Sequence, residues 1–224
     1  QEIKDIKRLI RDDKKTFLLP DRWEWSRLQN ILNTFITGKS YKSTDFIKKS
    51  NNQVLRLGNV RPFSLRLKAK PVFIIDDLAS ETIKYKLYPN DILITMTGTR
   101  GKKDYCYTVM LKKSDFVNSN LFLNQRVGCF RVNSAISSKY INYAIKADTL
   151  LDSIYKTSTG SANQANIGVA ALNLLLIPIP PLQEQKEIVK KVDKLFAICD
   201  ELEAQITSSQ TNADELMQAV LKEA

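Results

Sequence analysis

Beyond Pro181 the apolar residues Ile188, Val192, Leu195, Cys199, Leu202 and Ile206 follow one another at intervals of 4, 3, 4, 3 and 4. The register continues through Ser209, Ala213, Leu216 and Val220, with no Gly or Pro to interrupt it. An a/d seam sustained over more than four heptads predicts one long helix with a helix-pairing face. At 1.5 Å per residue that helix is about 60 Å long. Such a helix is stable only with a cover for its seam. A second helix, parallel or antiparallel, is the expected cover, and a fold-back onto the chain's own body is the plainer alternative. Ser208, Ser209 and Gln210 weaken the seam, and a bend is expected there.

Upstream the pattern is different. Ile3, Ile6, Leu9 and Ile10 share a helical face, predicting a partial helix and charged linker over 1–16. Trp23 and Trp25 alternate with charged residues, as in a half-buried strand, and read as core anchors. Short strands are predicted over Val54–Leu57, Val72–Ile75, Ile92–Thr97, Tyr105–Leu111 and Val127–Val132. Pro89-Asn90-Asp91 is turn chemistry leading into the third of these. Ser137–Lys156 reads as one helix, and Thr157–Asn166 as a small-residue polar loop. A strand-like apolar run from Leu172 to Ile177 then meets Pro178, Pro180 and Pro181. Proline fixes its own φ and drives its predecessor out of the α region, so Ile177–Pro181 is extended. Pro181 suits the start of the long helix, where a missing N–H costs nothing. The fold class expected is α+β: a mixed, largely β body over 17–177, then a long helix over 178–224.

Charge divides the chain at the same place. Residues 178–224 carry 5 Lys against 9 acids, whereas residues 1–177 carry 29 Lys and Arg against 15 acids. A basic body with an acidic arm points to a polyanion for the body and a protein for the arm. Three scattered cysteines (Cys106, Cys129, Cys199) show neither metal-ligand spacing nor a disulfide framework, which suits a reducing, cytoplasmic setting. No apolar run reaches the ~20 residues of a membrane span. The chain begins with Gln rather than Met, as an excised fragment or a processed form would. Histidine is absent, which excludes His-based triads and Cys/His zinc fingers within this sequence.

Catalytic constellations are not found. Pro20-Asp21 and Glu184-Gln185-Lys186 look like pieces of a nuclease motif, but more than 160 residues separate them. Ile179-Pro180-Pro181-Leu182 lacks the amide and the aromatic of an amino-methyltransferase motif. Gly98–Gly101 lacks the Gly-Lys-Ser/Thr of a phosphate loop. The basic polar loops carry more. Arg100, Lys102 and Lys103 crowd the Gly98–Lys103 loop, and phosphate contacts of that kind give salt-dependent affinity. Asn163, Gln164 and Asn166, and Gln125 beside Arg126, bring the amides and guanidinium that read base edges. Lys39, Tyr41 and Arg61 lie in a further basic, loop-rich region.

In order, Leu19-Pro20-Asp21-Arg22-Trp23-Glu24-Trp25, Pro89-Asn90-Asp91-Ile92-Leu93 with Gly98, Gly160–Ile167 (GSANQANI) and Ile177–Ile188 (IPIPPLQEQKEI) resemble one half of a type I restriction-modification DNA specificity subunit. The last element is the most specific, and together they span roughly 17–206. The resemblance implies a non-catalytic target recognition domain reading one half of a split double-stranded DNA site. It implies a spacer helix that pairs with its counterpart and helps dock a methyltransferase (modification) subunit, with a restriction subunit completing the complex. S-adenosylmethionine, ATP and Mg would then be used by those partner subunits and no cofactor by this chain. Complete subunits carry two such domains and two such helices. One of each here implies either a fragment of a longer subunit or a half-subunit that pairs with a homodimer mate. The reading from another class is a coiled-coil assembly protein whose basic body binds an acidic protein.

Overall fold

The computed structural model describes residues 18–159 and 164–223. The helix expected over 1–16 and the candidate Asn163 lie outside them. The chain divides after Leu182 into two compact units.

The first unit is α+β and strand-rich, as expected. Its strands are β1 (Glu24–Arg27), β2 (Leu32–Thr37), β3 (Asn52–Leu55), β4 (Ile92–Thr95) and β5 (Thr97–Thr99). They continue with β6 (Thr108–Met110), β7 (Asn120–Leu123), β8 (Val127–Val132), β9 (Gln164–Asn166) and β10 (Leu176–Ile179). Short helices α1 (Asp76–Glu81), α2 (Ser138–Ala144), α3 (Asp148–Lys156) and α4 (Val169–Leu174) connect them.

An antiparallel sheet of order β2-β8-β4-β6 forms the centre. The β-branched run after Asp91 supplies β4, with Ile92, Leu93 and Ile94 fully buried. Alternation sends Leu93 to a core of Leu55, Leu87, Leu111, Leu121, Leu123, Val127 and Cys129. On β8, Phe130 meets the Phe35 ring edge-on at 5.8 Å. A Cβ at Gly128 would sit 2.7 Å from that Phe35 ring, so the closeness of β2 and β8 depends on glycine there. β3 and β7 pair in parallel, and β1 pairs with β10 antiparallel. That last register sets Pro178 opposite Trp25. A two-stranded ribbon has an outward edge that asks for no N–H, so it tolerates the proline. The Pro178 carbonyl accepts from the Tyr140 hydroxyl at 2.6 Å.

Several expected elements form differently. The strand expected from Leu172 is instead the end of α4, where Ala171, Leu172 and Leu175 are buried at helical spacing, and the strand begins only at Leu176. Val72–Ile75 makes only isolated bridges through Phe73, hemmed in by Pro71 and by α1. The run Tyr105–Leu111 yields only the short β6, because Cys106 adopts φ +61° and breaks the pleat. Ile92–Thr97 splits at Met96, with Thr97 moving on to pair with β9. The single helix expected over Ser137–Lys156 is two, because the apolar phase of Tyr140, Ile141 and Ile145 reaches polar Asp148 instead of another core residue.

The second unit is α5 (Leu182–Glu223), 42 residues beginning directly after Pro181. At 1.5 Å per residue it is about 63 Å long. It stays helical through Ser208–Gln210, where a bend was expected. Ile188 and Val192 are half-buried, and Cys199 is exposed. Leu195, Leu202 and Ile206 are 62%, 51% and 58% exposed, so the predicted seam is an open apolar stripe on this chain. Among the described residues no helix is long and apolar enough to cross a membrane.

Candidate nucleic-acid interface

Four segments far apart in sequence converge on one open cleft of about 480 Å³ in the first unit. It is lined by Arg61, by Thr97, Gly98 and Thr99 of β5, by Arg126, and by Gln164 of β9, with Thr95, Asp104, Tyr107 and Leu57 completing the walls. The β5–β9 pairing carries Gly98 against Ala165 and Thr99 against Gln164. Glycine is required at position 98, since a Cβ there would overlap the Tyr105 ring and lie on the Asp104 carboxylate. The Met96 N–H donates to the Arg126 carbonyl at 2.9 Å, joining this pair to the β7–β8 turn. The Gln125 N–H donates to the Lys39 carbonyl at 2.9 Å, which brings Lys39 to the same turn.

The basic loop after Gly98 is closed by Asp104. Its two carboxylate oxygens accept from the Thr99 N–H and the Thr99 hydroxyl, each at 2.7 Å. Partial burial pulls this carboxyl up, but the Thr99 bonds and nearby Lys102 outweigh it and leave it below its ordinary range. Gly101 takes φ +77° and the Lys102 N–H returns to the Thr99 carbonyl, so Arg100 and Lys102 project from a tight, exposed turn. Lys103 points elsewhere, ion-paired to Asp152 of α3 at 2.6 Å and lying 5.5 Å from the Tyr155 ring centre.

Two expected contact residues serve other ends. Tyr41 is a core residue, 7% exposed among Val54, Ile74, Ala79 and Phe122, with its hydroxyl donating to Thr82 at 3.2 Å. Its ring cannot stack on a base without unpacking that core. The Asn166 side-chain oxygen accepts from the Thr97 hydroxyl at 3.0 Å and from Gln164 Nε2 at 3.1 Å, so its amide is a brace between β5 and β9. Gln125 is exposed beside Arg126 and, among the described residues, its side-chain amide is uncommitted.

Other members were missed. Asp104 and Tyr107 carry no signature of their own, although Gly101 between Thr99 and Asp104 hinted at a closed loop. Away from the cleft, Arg131 pairs bidentately with Asp91 at 2.8 and 3.0 Å, fixing the Pro89–Asp91 turn to β8. Among the described residues no cluster of Cys, Asp and Glu is placed to hold a metal ion.

The sequence profile of the type I restriction modification DNA specificity domain matches residues 20–209. The type I restriction enzyme EcoEI specificity subunit of Escherichia coli is 25% identical over 95% of this chain and 36% of its own length. The StySPI specificity subunit of Salmonella potsdam is 29% identical over 91% of this chain and 42% of its own length. The chain thus spans less than half of these relatives. Among solved structures, a chain from a study of assembly and conformational transition in the type I R-M system superposes with TM-score 0.67. It is 17% identical, covering 98% of this chain and 54% of that one, and the likeness is one of fold.

Proposed function

The chain belongs to the type I restriction-modification DNA specificity family, and from that premise we propose that its first unit reads one half of a bipartite double-stranded DNA site. The observation that carries this is the convergence of Arg61, Arg126, Gln164 and the Gly98–Thr99 backbone on one cleft, with Arg100 and Lys102 on its adjoining loop. Cations suit phosphates, and amides suit base edges. Lys39 and Gln125 extend the same surface, and Lys103, committed to Asp152, contributes less.

The chain acts as a non-catalytic specificity module in the cytoplasm. α5 pairs along its exposed stripe with a second recognition module or with a homodimer mate, and helps dock the modification subunit, which the restriction subunit joins. S-adenosylmethionine, ATP and Mg serve those partners. The extended, proline-rich segment Ile177–Pro181 links the recognition domain to α5.

A binding-site selection on random duplexes tests the reading. One enriched sequence, retained over its scrambled version at matched salt, is the expected result. Replacing Arg100 and Lys102 with Ala should then lower affinity and flatten its salt dependence. Equal retention of enriched and scrambled duplex would reject sequence reading and favour the coiled-coil assembly protein with an acidic protein partner.

A further inference from the structure

We propose that the two guanidiniums of the cleft, Arg61 and Arg126, seat a phosphate of the DNA backbone and so fix register on the duplex, leaving sequence reading to the amides beside them. This rests on the DNA-reading role proposed above and assigns one task within that surface.

Asp104 spends both carboxylate oxygens on Thr99. Thr97 and Gln164 each commit a donor to Asn166. Thr97 and Asp104 are thereby spent on the scaffold, while Gln164 keeps its second amide hydrogen and its carbonyl for a base edge. The two guanidiniums remain. Among the described residues neither Arg61 nor Arg126 has an acidic partner. Each presents a fork of donors and no acceptor, which matches a phosphate, an anion made only of acceptors.

Both forks are also held ready. Arg126 adopts φ +71°, a conformation uncommon for a side-chain-bearing residue. Its carbonyl is tied to Met96 and the preceding Gln125 N–H to Lys39, so the turn is pinned on both sides. Arg61 lies in a tight turn closed by its N–H on the Ser64 carbonyl at 3.0 Å, with Nη1 bound to the Val60 carbonyl at 3.2 Å. The bracing on both sides of Arg126 holds its turn in place at the cleft. The Asp104 carboxylate in the wall stays charged, but Arg61 and Arg126 in the same lining and Arg100 and Lys102 on its loop outnumber it.

The test uses the full chain and the duplex enriched by selection. Affinity is measured against salt for wild type, Arg61→Ala, Arg126→Ala and Arg126→Lys, on the enriched duplex and on its scrambled version. A phosphate seat predicts that each Ala variant loses about tenfold on both duplexes alike. The slope of log affinity against log salt should fall by about 0.9, the value for one phosphate. Arg126→Lys should recover part of the loss, and selection with any variant should return the same sequence. A methylphosphonate scan of the enriched duplex supplies the second arm. One neutralised position should cost wild type about tenfold and cost Arg126→Ala clearly less.

A relaxed preference at one base position in Arg126→Ala would overturn the proposal, because that arginine would then be reading a base. Unchanged affinity in both Ala variants would overturn it too, while leaving the DNA-reading role standing. If wild type retains no duplex, the DNA-reading role itself fails.

Discussion

Replacing Arg131 with Met should destabilise the first unit by about 3 kcal/mol, at the low end of the cost of breaking a buried pair. The Asp91 side chain is 3% exposed, and Arg131 contacts it through Nε at 2.8 Å and Nη2 at 3.0 Å. Nη2 also donates to the Lys86 carbonyl at 3.2 Å, and the guanidinium lies 5.0 Å from the Tyr88 ring centre. Arg131→Met removes all four contacts and leaves the Asp91 carboxylate with the Tyr88 N–H, at 2.9 Å, and the Cys129 thiol as donors. The Arg131 side chain is 33% exposed, so water enters to solvate the stranded carboxylate and holds the cost near the lower limit. Urea unfolding followed by tryptophan fluorescence reports this unit alone, because both tryptophans, Trp23 and Trp25, lie within it. With a slope of about 3 kcal/mol per M, the midpoint should fall by roughly 1 M. The double variant Asp91→Asn/Arg131→Met should lose clearly less than the sum of the two single changes, since neither then strands a buried charge. A midpoint shift below about 0.3 M for Arg131→Met, or strict additivity in the cycle, would refute the claim that this pair locks the Pro89–Asp91 turn to β8.

Gly98→Ala should cost about 1–3 kcal/mol by overpacking, because its Cβ would sit 2.5 Å from Asp104 Oδ1 and 2.8 Å from Tyr105 Cβ; thermal unfolding reads the loss, and duplex affinity should fall with it. Leu195→Asp with Leu202→Asp should leave the thermal unfolding of the first unit unchanged, yet abolish helix pairing as read by light scattering or by capture of the modification subunit. Lys146 gives a pH signature: burial lowers its ammonium from 10.5 to about 8, while it donates to Thr108 and Asn142. Between about pH 8 and 10.5 the unfolded chain holds a proton that the folded chain has released, so this group makes stability rise with pH there, by about 3 kcal/mol at most. The rise is read as the difference between wild type and Lys146→Met, because Cys106 and Cys129, raised by burial, act in the opposite sense in both proteins; a flat difference across that window would contradict it.

Local chemistry was legible wherever one segment settles its own conformation. The heptad seam fixed α5, the prolines fixed its start, and the β-branched run after Asp91 became the central strand. Gly98 stood out as a glycine, but the reason for it lies in Tyr105 and Asp104, which fold back against it. Strands β2 and β7 were not foreseen. Their residues become strand by pairing with β8 and β3, and isolated segments carry little of that signal.

The candidate site divides along the same line. Sequence named Arg61, Arg126, Gln164 and the Gly98 loop as separate basic or amide-bearing stretches, because charge and hydrogen-bonding capacity belong to each residue alone. Only the tertiary structure decided that they share one cleft, since the β5–β9 pairing and the Met96–Arg126 bond join positions tens of residues apart. It also decided which capacities are already spent. Tyr41 went to the core, Asn166 to bracing Gln164, Lys103 to Asp152 and Asp91 to Arg131. Composition counts the donors, acceptors and charges a chain possesses. Which of them remain for a partner depends on long-range pairing, and that exists only once the chain is folded.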